Sequence, residues 1–206
     1  MSDPAILTAA PNAGDPGRGN AIRSAVPAPR ASVHERLVAA GLEPVGRASD
    51  FITDMHGLMA RTPLFADFDA DETRRLGAFM FVYDVPVGVT LIHEGETGDF
   101  MMLLMSGMVD VLRMNRYRYP SRIAVAAAGH ALGEMSMFDG EPRFASCVTL
   151  ERSRIAVLTR EALLLVLREE PRMGNKILLK LVQLLSDRLR QTSGKLVSYI
   201  EAGREA

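Results

Sequence analysis

The 206-residue chain has no tryptophan and one cysteine, and neither sign of charge dominates. One cysteine excludes an intrachain disulfide framework, a zinc site built from cysteines and a four-cysteine iron–sulfur cluster. The 24 Lys and Arg against 25 Asp and Glu leave a net charge of −1, which argues against a protein held to nucleic acid by bulk charge. No uninterrupted apolar run reaches about 18 residues, so neither a transmembrane helix nor membrane association is expected.

Aromatic residues are absent from the first 50 positions, because all 8 Phe and 4 Tyr lie at Phe51 or later. Residues 1–30 are rich in Ala, Pro and Gly, and proline fixes φ and lacks an amide donor. We expect residues 1–50 to form a disordered or weakly helical tail and residues 51–206 to form the folded domain. Within the tail, the amphipathic pattern of residues 32–42 predicts either a helix that docks on the folded part or a transient one. The tail has neither the early basic residues nor the apolar run of a signal peptide, which predicts a cytoplasmic protein.

The hydrophobic pattern changes along the rest of the chain. Residues 51–58 predict a short helix, and Asp69 with Glu72 forms the capping-box pattern of a second one. About eight short β-rich segments follow within residues 82–158, at roughly the spacing of a sandwich or barrel. Helical patterns then return, and the last helix is predicted to span residues 171–202. Helices followed by strands and again by helices predict an α+β fold.

The last predicted helix carries apolar residues on two adjoining faces. One set alternates intervals of four and three residues, as a coiled-coil seam does: Leu178, Val182, Leu185, Leu189, Thr192, Leu196 and Tyr199. The other set is Ile177, Leu181 and Leu184. One face can pack on the β unit, and the other is predicted to contact a second copy in a homodimer. If both faces pack within the chain, self-association is not required.

Two glycine-rich stretches interrupt the β segments. The first, residues 88–100, places glycines where tight turns need their conformational freedom. The second, residues 129–146, contains Gly133 and Glu134 at the start of a short predicted helix, with Arg143 nine residues after the glutamate. Backbone amides at a helix start, together with one arginine, form an anion site. The Glu134 carboxylate could accept a hydrogen bond from a sugar hydroxyl.

Together these stretches resemble the cyclic nucleotide-binding domain of bacterial catabolite-activator-type regulators and kinase regulatory subunits. The similarity spans about residues 58–200. The family pattern G-x(3)-G-E-x(8)-R-x-A is met by Gly129, Gly133, Glu134, Arg143 and Ala145. The resemblance implies an antiparallel, jelly-roll-like β-roll flanked by N-terminal helices and a long C-terminal helix. It also implies a regulatory sensor of cAMP or cGMP that signals to a partner through that helix.

The resemblance further implies roles for individual residues. Arg143 would pair with the exocyclic oxygens of the cyclic phosphate, and Glu134 would take the ribose 2′-hydroxyl. The amides of Gly133 and Ala145 would lie near the ribose and phosphate. The base side would be lined by Val111, Ile123 and Leu132.

Two features depart from the family's usual pattern. Phe144 follows the arginine at a position where family members have a small residue, so its ring would either point outward or fill the pocket. Relatives that act on promoters carry a helix-turn-helix module after the long helix, whereas this sequence ends at Ala206, so direct DNA binding is not expected. Two rival hypotheses follow: a degenerate module that binds no nucleotide and serves as an interaction scaffold, and a regulator without its DNA module that modulates an intact relative.

Other chemistry finds little support in the sequence. The four histidines lack metal-ligand spacing, and the common hydrolase and P-loop motifs are missing, so neither a metal site nor an enzyme is predicted. Residues 113–122 hold four arginines and two tyrosines in a predicted hairpin loop. This pattern fits single-stranded nucleic acid, a protein partner or an ordinary solvated loop. Cys147 is predicted to be a buried strand residue.

Overall fold

The computed structural model describes residues 31–59, 62, 65 and 67–202, and the predicted tail residues 1–30 lie outside this range. Its helices are α1 (Val33–Ala39), α2 (Ile52–Met59), α3 (Ala70–Gly77), α4 (Glu134–Asp139), α5 (Arg160–Glu169) and α6 (Pro171–Ala202). Its strands are β1 (Glu43–Arg47), β2 (Phe81–Val85), β3 (Thr90–Ile92), β4 (Phe100–Ser106), β5 (Met108–Met114), β6 (Pro120–Ala127), β7 (Ala131–Leu132), β8 (Ser146–Thr149) and β9 (Ser153–Thr159). The predicted α+β class is confirmed.

The strands form two antiparallel sheets. Their order is β1-β2-β9-β4-β7 in the five-stranded sheet and β3-β8-β5-β6 in the four-stranded sheet. A core between the sheets includes Tyr83, Val109 and Ile155. A second core, which includes Val82 and Ile177, lies between the five-stranded sheet and the helices. This is the β-roll flanked by N-terminal helices and a long C-terminal helix that the sequence predicted.

Strand β4 is buried on both faces. Met101 and Leu103 belong to the core beneath the helices, whereas Met102 and Leu104 belong to the core between the sheets. Burial on both faces explains why this strand is a continuous apolar run and not an alternating one. Because Met102 pairs with Leu132 of β7, the residues that follow Leu132 begin at the edge of the five-stranded sheet, next to β4.

The folded unit begins near residue 31, and not at the predicted boundary of residue 51. Helix α1 buries Val33 and Leu37, and β1 extends the five-stranded sheet by pairing with β2. The assignment of residues 31–50 to a tail is therefore corrected. Strand β1 was missed because its sequence, Glu-Pro-Val-Gly-Arg, shows no hydrophobic alternation. It is held by its pairing and by the guanidinium of Arg47, which lies 3.7 Å from the centre of the Phe81 ring.

The predicted capping box of α3 is confirmed. The Asp69 carboxylate accepts hydrogen bonds from the amides of Asp71 and Glu72, and the Glu72 carboxylate accepts one from the Asp69 amide. These contacts satisfy amides that have no partner within the helix. They fix where the chain turns from the α2–α3 connection into α3.

Helix α6, which is described from Pro171 to Ala202, has two unlike faces. In its first half, Ile177 and Leu181 are 1% and 2% exposed and belong to the core. On the predicted second face, Val182, Leu189 and Leu196 are 60%, 68% and 59% exposed. In the part of the chain that the structure describes, no helix has the length and apolar character that crossing a membrane requires.

The arginine- and tyrosine-rich segment forms the tip of the β5–β6 hairpin, as predicted. The side-chain oxygen of Asn115 accepts hydrogen bonds from the amides of Tyr117 and Tyr119, and both tyrosine rings are exposed. Behind the tip, Arg122 donates two hydrogen bonds of 2.6 and 2.7 Å to Asp110 across the hairpin. The turn is thus organised by its own side chains.

Candidate functional site

Arg143 is almost completely buried, with 4% of its surface exposed. Its Nη1 donates to the carbonyl oxygen of Gly133 over 2.5 Å, and its Nη2 donates to the carbonyl oxygen of Phe100 over 2.8 Å. Its own backbone amide donates to the carbonyl oxygen of Glu96, which fixes the base of the side chain. A guanidinium has five N–H donors. Two are used here among the described residues, which leaves three for an anion.

Two glycines make room for this guanidinium. A Cβ atom on Gly98 would overlap it, and a Cβ atom on Gly133 would lie 2.5 Å from its Nη1. Gly133 also has a φ of +78°, a conformation that favours glycine. Gly98 of the first glycine-rich stretch and Gly133 of the second therefore both allow the backbone to approach the buried arginine.

Glu134, the first residue of α4, is 2% exposed and pairs with Arg188 of α6. Arg188 also donates to the carbonyl oxygen of Ala131 over 3.1 Å. Burial raises the pKa of Glu134, and the positive charge of Arg188 opposes that shift. This ion pair connects the β-roll to the long helix.

A cavity of about 100 Å³ lies between these charged groups. Its charged side chains are Glu134, Arg143 and Arg188, and its apolar side chains come mainly from β3, β5, β7 and β8. The lining residues that the sequence predicted are Val111, Leu132, Gly133, Glu134, Arg143, Phe144 and Ala145. The structure thus brings together residues that are up to 34 positions apart in the chain.

Ile123 does not line this cavity, which corrects its prediction as a base-side residue. Val111 pairs with Ala124 and Leu112 pairs with Arg122, so Ile123 is the extra residue of a β-bulge. The bulge leaves its side chain 48% exposed. Sequence alternation alone does not reveal a bulge, because one inserted residue reverses the faces beyond it.

Phe144 lies at the rim of the cavity. Its side chain is 48% exposed, and the guanidinium of Arg113 lies 3.8 Å from the centre of its ring. Of the two placements that the sequence left open, the structure therefore favours the outward one. An arginine over an aromatic face is attracted by the ring quadrupole, which holds the ring at this position.

Arg188 was missed by the sequence analysis, although a signal for it exists. It is seven residues after Leu181 and four after Leu184, so it continues the buried stripe of α6. Its place on this stripe directs it toward the β-roll, where Glu134 lies. That acidic partner is 54 positions away in the chain, so its identity required the fold.

Cys147 also lines the cavity and is buried, as predicted for a strand residue. Burial raises the pKa of its thiol to about 12, with the charge of Arg143 acting in the opposite direction. A thiol with so high a pKa is a poor nucleophile. Among the residues described here, no three His, Cys, Asp or Glu side chains form a group able to hold a metal ion.

Comparison with known proteins agrees with this geometry. The sequence profile of the cyclic nucleotide-binding domain matches residues 84–170, which include both glycine-rich stretches. The crystal structure of a cyclic nucleotide-binding domain from Methylobacillus flagellatus is 36% identical, with a TM-score of 0.69, over 76% of this chain and 88% of that one. The chain belongs to the cyclic nucleotide-binding domain family.

Two regulators of this family are also similar. The CRP-like cAMP-activated global transcriptional regulator of Mycobacterium tuberculosis is 27% identical over 146 residues, which cover 71% of this chain and 63% of the relative. The catabolite activator protein of Thermus thermophilus is 28% identical with a TM-score of 0.61, over 66% of this chain and 62% of that structure. The match therefore spans less than two thirds of each regulator. The helix α1 and strand β1 precede the part that the family profile matches.

Proposed function

We propose that this cyclic nucleotide-binding domain is a sensor of cAMP or cGMP. The observation that carries the proposal is the buried Arg143, which lines the cavity, is held by two carbonyl oxygens and retains three N–H donors that no described residue uses. A buried guanidinium without an acidic hydrogen-bond partner is costly unless an anion binds to it. A cyclic phosphate carries one such charge, and its two exocyclic oxygens match the planar fork of arginine.

Glu134 would accept a hydrogen bond from the ribose 2′-hydroxyl. It follows Gly133 directly, so the ribose and the phosphate would lie against consecutive residues. Val111 and Leu132 would contact the base, and the amide of Ala145 would lie near the phosphate. Phe144 at the rim leaves this volume open, which supports nucleotide binding over a degenerate scaffold.

Ligand binding would move Arg188. The cavity of about 100 Å³ is smaller than the roughly 300 Å³ at which small-molecule pockets begin. Room is available if Arg188 leaves Glu134, since Arg188 lies on α6 and is 39% exposed in its side chain. The nucleotide would therefore shift the equilibrium between two positions of the second half of α6.

The exposed face of α6 would carry the output by contacting a second copy of the chain. Val182, Leu189 and Leu196 are seven residues apart and exposed, as one seam of a parallel coiled coil requires. A homodimer through α6 would turn movement of the helix into a changed surface for an effector protein. This route implies no catalysis by the sensor itself.

Calorimetric titration with cAMP and with cGMP tests the proposal. Arg143→Gln should weaken binding by about 100-fold, because it removes a charged bidentate partner. Glu134→Gln should weaken binding by about tenfold, because it replaces a charged acceptor with a neutral one. Arg168→Gln is the matched control, since Arg168 is 77% exposed and lies on α5, and it should bind like the wild type.

The titration also separates the rival functions. If the wild type shows no heat and no thermal shift with either nucleotide, the sensor is rejected and the scaffold is favoured. A regulator that modulates an intact relative would instead form mixed dimers, which co-purification of the two proteins detects.

A further inference from the structure

Helix α1 is attached close to the phosphate end of the proposed site, although it precedes the region shared with the family profile. Val33 and Leu37 anchor it in the core between the sheets. Arg36 lies between these anchors on the outer side of the helix and forms an ion pair with Asp99, 63 residues later. Helix α1 thus places the positive charge of Arg36 beside the turn that precedes β4.

Asp99 occupies a sensitive position in that turn. It directly follows Gly98, whose missing side chain makes room for the Arg143 guanidinium. It directly precedes Phe100, whose carbonyl oxygen accepts a hydrogen bond from that guanidinium. Burial lowers the pKa of Arg143, the negative charge of Asp99 raises it and the positive charge of Arg36 lowers it again. The three charges therefore act on one another directly.

An uncompensated Asp99 would oppose binding of an anion in two ways. Its carboxylate could accept hydrogen bonds from the free N–H groups of Arg143, which a phosphate would otherwise use. Its charge would also repel the phosphate itself. The ion pair with Arg36 removes both effects, because it draws the carboxylate toward α1 and neutralises it.

We infer that Arg36 is a positioning residue for the phosphate end of the site, which keeps the Asp99 carboxylate from occupying Arg143. The inference rests on the proposed nucleotide function and adds a residue from outside the region that the family profile matches. Arg36 and Asp99 are 41% and 55% exposed in their side chains, so solvent weakens their interaction. A single extra charge near a phosphate at such a site changes affinity by about five- to tenfold.

The test is a rescue series with cAMP and cGMP as probes, measured on the full chain. Arg36→Gln should weaken binding about five- to tenfold, whereas Arg36→Lys should stay within about twofold of the wild type because the charge is kept. The double variant Arg36→Gln/Asp99→Asn should also return to within about twofold, since no carboxylate is left to compete. Arg74→Gln, an exposed arginine on α3, is the matched control.

The rescue distinguishes positioning from mere support of the fold. If Arg36 only anchors α1, the double variant also lacks the anchor and stays as weak as Arg36→Gln, and this result overturns the inference. Equal affinity of Arg36→Gln and the wild type overturns it as well. A wild type that binds neither nucleotide rejects the proposed function instead.

A measurement without nucleotide keeps the inference testable in that case. In a crystal structure of ligand-free Arg36→Gln, the Asp99 carboxylate should lie within hydrogen-bond distance of the Arg143 guanidinium. A carboxylate that points into solvent, with Arg143 still on the carbonyl oxygens of Gly133 and Phe100, contradicts it.

Discussion

The two ends of the cavity are built differently. At the phosphate end, Arg143 is 4% exposed and is held by main-chain oxygens of the β-roll. At the other end, Arg188 is 39% exposed in its side chain and is carried by α6, which is exposed at every residue from 189 to 201. A rigid end can select the ligand, whereas a loosely held end can report that the ligand has arrived. One end of the cavity is thus suited to recognising the ligand, and the other end is suited to transmitting its arrival to α6.

The largest expected difference is between two leucines of α6, in how much each contributes to the free energy of unfolding. Leu181→Ala removes a side chain that is 2% exposed and should lower the free energy of unfolding by about 3 kcal/mol. Leu189→Ala changes an exposed residue and should lower it by less than about 0.5 kcal/mol while weakening self-association. Urea unfolding at low protein concentration and sedimentation equilibrium measure the two effects. If Leu189→Ala unfolds as easily as Leu181→Ala, the second half of α6 is part of the core.

Gly98→Ala tests the phosphate end of the cavity, where Arg143 lies. The added Cβ would overlap the Arg143 guanidinium, so cAMP or cGMP affinity should fall by about 30-fold as the arginine leaves its two carbonyl partners. Gly57→Ala is the control, because a Cβ there meets nothing within 4 Å. Calorimetry gives the affinities. Unchanged binding by Gly98→Ala would show that the Arg143 end of the cavity is no more rigid than the Arg188 end.

Arg188→Gln tests the end of the cavity that is carried by α6. The loss of its ion pair with Glu134 should open the cavity and raise the reaction rate of Cys147 with a thiol reagent by about fivefold. The chain has one cysteine, so the signal is unambiguous. Arg190→Gln, which is 75% exposed on the same helix, should react like the wild type. Bound nucleotide should slow the reaction in both proteins, and an unaltered rate in Arg188→Gln would mean that Arg188 does not close the site.

The smallest effect concerns pH. Burial raises the pKa of Glu134 from its ordinary value of 4.5, so the folded state holds this proton more tightly than the unfolded chain. The contribution of Glu134 to stability is therefore fully present below pH 4.5 and falls as pH rises through the raised pKa. Glu134→Gln removes this dependence. The melting temperature of the wild type should consequently decline relative to that of the variant as pH rises above about 4.5.

The outcome of that measurement also shows which of two opposing effects on the pKa of Glu134 is larger. Arg188 stabilises the charged form of Glu134, whereas burial disfavours it. A melting temperature that rises relative to the variant over the same pH range would show that the ion pair outweighs the loss of solvation.

Local signals made much of the molecule predictable. The spacing of Gly133, Glu134 and Arg143 is set within one short segment, so the sequence alone could assign them to one site. Capping residues marked where α3 begins for the same reason, since a cap and its partner amides are three positions apart. The span of α6 also followed from its own periodicity.

Features that depend on distant partners could not be predicted. Two ion pairs join residues that are 54 and 63 positions apart in the chain: Arg188 with Glu134, and Arg36 with Asp99. No local sequence pattern at any of these residues identifies its partner. Ile123 was misplaced because a bulge is decided by the opposite strand. Strand β1 has too little apolar character to be recognised until β2 is beside it.

Strand β1 has a practical consequence for handling the protein. It forms the edge of the five-stranded sheet and covers the hydrogen-bonding side of β2, which is almost entirely apolar at Phe81, Val82, Tyr83 and Val85. A shortened chain that began after β1, at residue 48, would leave this neighbour open to other molecules, as an uncovered edge strand invites aggregation. Preparations that keep residues from 31 onward should therefore stay in solution at concentrations at which shorter ones precipitate.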